Sequence, residues 1–228
     1  MSRPWLQLLD PELHGLRQAS GSAFEARLQL AHALNVRCHH TEARGLLDGL
    51  LTEDRASGET WFERIVAEGD DASREDLETL SQDLEALVDE SPGAAVPRRN
   101  LGYLRILQQR PEDAKKTLDR ALELDGRDSR TFELLGLLAL RCDEAAEAKN
   151  WFLKALSLKP KSPRSLRLLG IACEQLGEAK TAEAHFAAAL ESEPHYFWGW
   201  HSLGELLLKQ GDIEDGLLCI NRARSIHA

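Results

Sequence analysis

The sequence predicts an all-α fold of stacked antiparallel helix pairs, on three observations. Leu-Gly pairs recur at Leu101-Gly102, Leu135-Gly136, Leu169-Gly170 and Leu203-Gly204, each 34 residues after the one before. Segments such as SRTFELLGLLALR and AAEAKNWFLKALSLK carry apolar residues at i, i+3, i+4 and i+7, the spacing of amphipathic helices. Short breakers (QQRPED, RCDE, QLGE, KQGD) divide each unit in two. A lone helical hairpin cannot bury its apolar face, so such units must stack on their neighbours.

Each recurring position has a packing reason. Gly102, Gly136, Gly170 and Gly204 occupy the eighth place of their units, and Ala114, Ala148, Ala182 and Gly216 the twentieth. Small residues there let the two backbones of a hairpin approach closely where they cross. Leu118, Phe152, Phe186 and Ile220, at the twenty-fourth place, fill the space beside that crossing. Ala121, Ala155, Ala189 and Ala223 follow, and then a turn residue at Gly126, Pro160 or Pro194. Ser162-Pro163 offers a helix start, an oxygen acceptor at the cap followed by a residue whose φ is already set.

This pattern resembles the tetratricopeptide repeat family, which has a 34-residue period with small residues at positions 8, 20 and 27, large ones at 4, 7 and 24, and Pro at 32. The resemblance covers residues 95–228 as four regular repeats, with 129–162 and 163–196 fitting best. The first of the four departs at position 4 (Arg98) and position 32 (Gly126). It implies a right-handed α-solenoid. Residues 24–94 are expected to form two degenerate repeats. The first, 24–57, keeps Leu30-Ala31, Ala43, Leu47 and Leu50 in register. The second, 61–94, has Glu68 at position 8 and Leu80 at position 20. Residues 1–23 are expected to hold a short leading helix near Trp5–Gln18.

Composition narrows the function. At 43% hydrophobic and 29% charged, the chain has enough apolar content to form a core, which argues against disorder. No apolar run reaches the roughly 20 residues a membrane helix needs. Asp10 and Glu12 interrupt the N-terminus before any signal-like apolar stretch, so a cytoplasmic location is expected. A net charge of −10 argues against nucleic acid as a partner. Residues 70–90 hold nine acids against one Arg, which reads as a solvated helix face or as a contact for a basic partner. Cys38, Cys142, Cys173 and Cys219 form no C-x-x-C pair and read as small apolar residues. No catalytic motif is present, so neither an enzyme nor a cofactor is expected. Cys38-His39-His40, with Glu42 nearby, is the one compact set of potential metal ligands and offers at most a weak metal site.

In arrays of the resembled kind, positions 2, 5, 6, 9, 12 and 13 of the first helix line the concave face. Applied here, the resemblance implies a groove whose partner-binding residues are Arg99, Asn100, Tyr103, Arg130, Leu137, Arg141, Arg164, Arg167, Ile171, Trp198 and His201. An apolar floor flanked by arginines suits a protein or peptide with apolar anchors and acidic residues, because the guanidinium fork binds carboxylates bidentately. Some members of the family grip the C-terminal carboxylate of chaperones with a clamp of Lys and Asn. The corresponding positions here are Arg99, Tyr103 and Leu134, so that clamp is missing. In the aromatic stretch PHYFWGW, Trp200 falls at position 4 and is expected in the core, Tyr196 and Phe197 pack at the unit junction, and Trp198 faces the groove. The expected role is an adaptor or scaffold. The alternatives are a homodimer through the C-terminal helix, with its Leu217, Ile220, Ala223 and Ile226, or a regulatory subunit.

Overall fold

The structure, a computed structural model, describes residues 23–69 and 72–227; the expected leading helix near residues 5–18 lies outside them. Among the described residues there are helices and no strands. In chain order they are α1 (Phe24–Val36), α2 (His40–Glu53), α3 (Gly58–Val66), α4 (Arg74–Glu90), α5 (Ala95–Leu107), α6 (Pro111–Leu124), α7 (Ser129–Arg141), α8 (Ala145–Leu158), α9 (Pro163–Gln175), α10 (Ala179–Ser192), α11 (Phe197–Gln210) and α12 (Ile213–His227). They divide into two compact units: Gly69–Pro194, and Met1–Glu68 together with His195–Ala228.

In the Gly69–Pro194 unit, α5 packs on α6, α7 on α8 and α9 on α10, and each hairpin packs on the next through α6–α7 and α8–α9 neighbours, on the bounds above, where α7 also touches α5 and α9. The crossing of each hairpin is set by one glycine. A Cβ on Gly102 would lie 2.5 Å from Leu118, on Gly136 2.6 Å from Phe152, and on Gly170 2.5 Å from Phe186. All three are closer than carbon atoms can pack. The large side chain at position 24 therefore sits directly on the glycine, and Leu118, Phe152 and Phe186 are completely buried. Lys149 of α8 reaches Glu178, the residue before α10, at 2.6 Å and ties one hairpin to the next. The glycine rule repeats in the other unit, where a Cβ on Gly204 of α11 would lie 2.9 Å from Ile220 of α12.

The helix starts follow from side-chain caps. Ser57, Ser73 and Ser162 accept hydrogen bonds from the backbone N–H groups of Thr60, Asp76 and Ser165. The interhelix turns follow one geometry. Cys38, Gln109, Asp143, Gly177 and Gly211 all have φ between 57° and 92°, and the residue after each donates its N–H to the carbonyl five residues back at 2.9–3.0 Å. This is a helix-terminating closure that favours glycine. Only two of the five positions carry glycine, so Gln109→Gly should raise stability by about 0.5–1 kcal/mol by removing left-handed strain at an exposed site. Chemical denaturation measures it, and a loss of stability would disprove the assignment of that strain.

Residues 61–94 leave the repeat register. Ser57 caps α3 early and Gly69, at φ 66°, closes the turn that follows it, so α3 has only nine residues. Glu68, expected in mid-helix at the small eighth position, lies beyond the end of α3. It is buried there, paired with Arg44 at 3.3 Å and with Arg64, whose Nε also meets Asp48 at 2.6 Å. Leu77, Leu80, Leu84 and Leu87 form the buried stripe of α4, while Glu75, Asp76, Glu78, Asp83, Asp89 and Glu90 are exposed. Ala31, Ala43, Leu47 and Leu50 are fully buried in the α1–α2 core.

Candidate functional site

The helices α5, α7 and α9 adjoin one another, and their groove positions sort into two kinds. Arg99 is only 5% exposed. Its Nη1 donates to Asp128 Oδ2 at 3.0 Å, and its Nε and Nη2 donate to Oδ1 of the fully buried Asn100 at 3.2 Å. The reading of Arg99 and Asn100 as a groove surface is therefore corrected. Their polar groups face inward because a guanidinium removed from water must have its donors satisfied within the protein. Asp128 also caps α7, accepting from the Arg130 N–H at 3.1 Å and from the Thr131 hydroxyl at 2.8 Å. Burial pushes the Asp128 carboxyl up, but the charge and hydrogen bond of Arg99, with the Thr131 and Arg130 donors, hold it below the usual Asp range.

Arg164 is likewise engaged. Its Nε lies 3.2 Å from Glu133 Oε1, and its guanidinium covers the Tyr103 ring at 4.8 Å from the centroid. Glu133 is buried and also accepts from the hydroxyls of Ser162 and Ser165. Tyr103 is thus roofed by Arg164 and is buried instead of forming an open floor. The side chains that remain at the surface are Arg130, Leu137, Arg167 and Ile171, all half-buried, and Arg141, which is exposed. Asp128, Glu133 and Ser165 are not among the expected partner-binding residues, and Ser162 is expected only as a helix start. The available signal was opposite charge about one repeat apart, Arg99 with Asp128 and Arg164 with Glu133.

In the other unit, α11 presents an aromatic corner. Trp198 is 42% exposed, Phe197 meets it edge-on at 5.0 Å between centroids, and His201 lies 5.9 and 5.8 Å from the two rings. His201 Nδ1 is 3.5 Å from Glu205. Tyr196 is buried, while Trp200 is half-buried, not enclosed as expected of a core position. Among the described residues no group of three or more His, Cys, Asp or Glu is placed to hold a metal ion. Cys38 is buried in the α1–α2 turn, and no disulfide joins the four cysteines. No described helix is long and apolar enough to cross a membrane.

The family model of the tetratricopeptide repeat matches residues 129–162, which are α7, α8 and the turn after them. That match makes residues 129–162 one tetratricopeptide repeat. Similarity to solved structures shows the fold of the chain, the all-α solenoid of helix pairs. A tetratricopeptide repeat protein from Parabacteroides merdae ATCC 43184 is similar over 98% of this chain and 87% of its own, at 16% identity and a TM-score of 0.63. YrrB, described as a tetratricopeptide repeat protein with an unusual peptide-binding site, is similar over 79% of this chain and 91% of its own, at 17% identity and a TM-score of 0.51. MamA from Desulfovibrio magneticus RS-1 is similar over 66% and 85%, at 15% identity and a TM-score of 0.56. No curated protein sequence matches the chain.

Proposed function

We propose that the protein is a binding scaffold that holds a polypeptide segment on the face formed by α5, α7 and α9. The observation that carries this reading is the exposure of apolar and arginine side chains together on these helices. Leu137 and Ile171 are only half-buried, on adjoining helices that also carry the half-buried Arg130 and Arg167 and the exposed Arg141. Arginine and apolar side chains on one set of helices fit a segment with apolar anchors and acidic residues. YrrB, similar in fold, is described as having a peptide-binding site, which supports the class of function. Peptide-display selection on the purified protein tests it. Enriched peptides should contain Asp or Glu beside apolar residues, and Arg130→Glu with Arg167→Glu should weaken their binding at least tenfold. Enriched peptides that bind the double variant as tightly as the wild type would remove the groove from consideration.

A second reading, self-association through α12, is favoured by a separate observation: Ile213, Leu217 and Leu218 are exposed apolar side chains within one six-residue stretch.

A further inference from the structure

We infer that α12 pairs with the α12 of a second copy in antiparallel orientation, about a two-fold axis near residues 218–219. The inference rests on the self-association reading and gives it a geometry. Two observations lead to it. First, α12 carries leucines at two surface places where its repeat equivalents are charged, polar or small. Leu217 takes the place held by Lys115, Lys149 and Glu183 in the earlier repeats, and Leu218 that of Lys116, Asn150 and Ala184. At that place in α8, Lys149 makes an ion pair with the following hairpin. In α12 the same surface carries Ile213, Leu217 and Leu218, which are 55%, 50% and 68% exposed.

Second, the charges of α12 are segregated along its length. Asp212, Glu214 and Asp215 stand exposed at its start, and Arg222 and Arg224 stand exposed toward its end. Asp215 and Arg222 are seven residues apart, about two turns, and so lie on one side of the helix. An antiparallel two-fold pairing sets Asp215 of one copy against Arg222 of the other and Glu214 against Arg224. Each pair occurs twice, with Leu218 of both copies meeting near the two-fold axis and Leu217 at the opposite flank of the seam from Asp215 and Arg222. A parallel pairing would oppose like charges instead. Self-complementarity of this kind is what an isologous interface requires.

Sedimentation equilibrium on the full chain tests the geometry. The wild type should approach twice its 25.4 kDa mass as concentration rises, and salt should weaken the association. Leu217→Lys with Leu218→Lys should leave a monomer with unchanged helical circular dichroism, since both side chains are exposed. Two charge variants decide orientation. Glu214→Lys/Asp215→Lys and Arg222→Glu/Arg224→Glu should each be monomeric alone and should form a heterodimer when mixed, because each then faces only opposite charge. A wild type that stays monomeric at every concentration overturns both the self-association reading and this geometry. A wild-type dimer whose charge variants fail to associate when mixed overturns the geometry alone. A dimer that survives the two lysines places the interface elsewhere and overturns both.

Discussion

Arg99→Ala is expected to destabilise the Gly69–Pro194 unit by about 3–5 kcal/mol, the cost of leaving one partner of a buried ion pair behind. Arg99 and Asp128 have side chains only 6% and 15% exposed. Truncation would strand the Asp128 carboxylate and remove the donors from Oδ1 of Asn100. Urea denaturation measures the loss. A change under about 1 kcal/mol, the range of exposed pairs, would mean the pair is solvated and not structural. The pH dependence follows from Asp128. Its carboxyl is held below the ordinary value near 3.9. A lowered folded-state pKa contributes stability at pH values above the unfolded-state value, and that contribution disappears as pH falls through the folded-state value. Asp128→Asn should therefore be less stable than the wild type at neutral pH and should show a shallower loss of stability below about pH 4. An unchanged acid limb in Asp128→Asn would show that other carboxylates govern it.

That pair also shows where sequence legibility stopped. The 34-residue period made the hairpins readable because it is written in residue size, and size is a local property of each position. Gly136 opposite Phe152 could be inferred from spacing alone, and the structure adds only that the ring rests on the glycine itself. The groove is written in side-chain direction, which depends on the neighbouring repeat. Position 5 of the first regular repeat is Arg99, and its fate was decided by Asp128, 29 residues later, at the start of α7. Position 2 of the third, Arg164, was decided by Glu133, one repeat earlier. Reading each groove position by itself counted both as available charge. The expected repeat over residues 61–94 departed for another reason. Its capping signals, Ser57 and Gly69, conflict with the 34-residue register, and the caps prevailed.

Phe152→Ala should be the most damaging single truncation in the α7–α8 hairpin, at about 3–5 kcal/mol for an enclosed aromatic side chain. Phe152 is completely buried, and the glycine it covers offers no side chain to refill the space. The reverse change makes the same point from the other side. Gly136→Ala places a methyl 2.6 Å from the Phe152 ring. One of the two helices must shift, at about 1–3 kcal/mol for overpacking. Damage from a cavity and damage from a clash should cancel in part when both changes are made, because the new methyl enters the vacated space. The Gly136→Ala/Phe152→Ala double variant should then be more stable than the sum of the single effects predicts, by about 1–3 kcal/mol of coupling. Denaturant titration of the four proteins in the cycle measures this. Strict additivity would mean that ring and glycine do not share the crossing, and that the close approach of α7 and α8 has another cause. Coupling at this crossing would account physically for why the Leu-Gly repeat is the clearest signal in the chain. The spacing of the helices is fixed by a contact that admits no atom between backbone and ring.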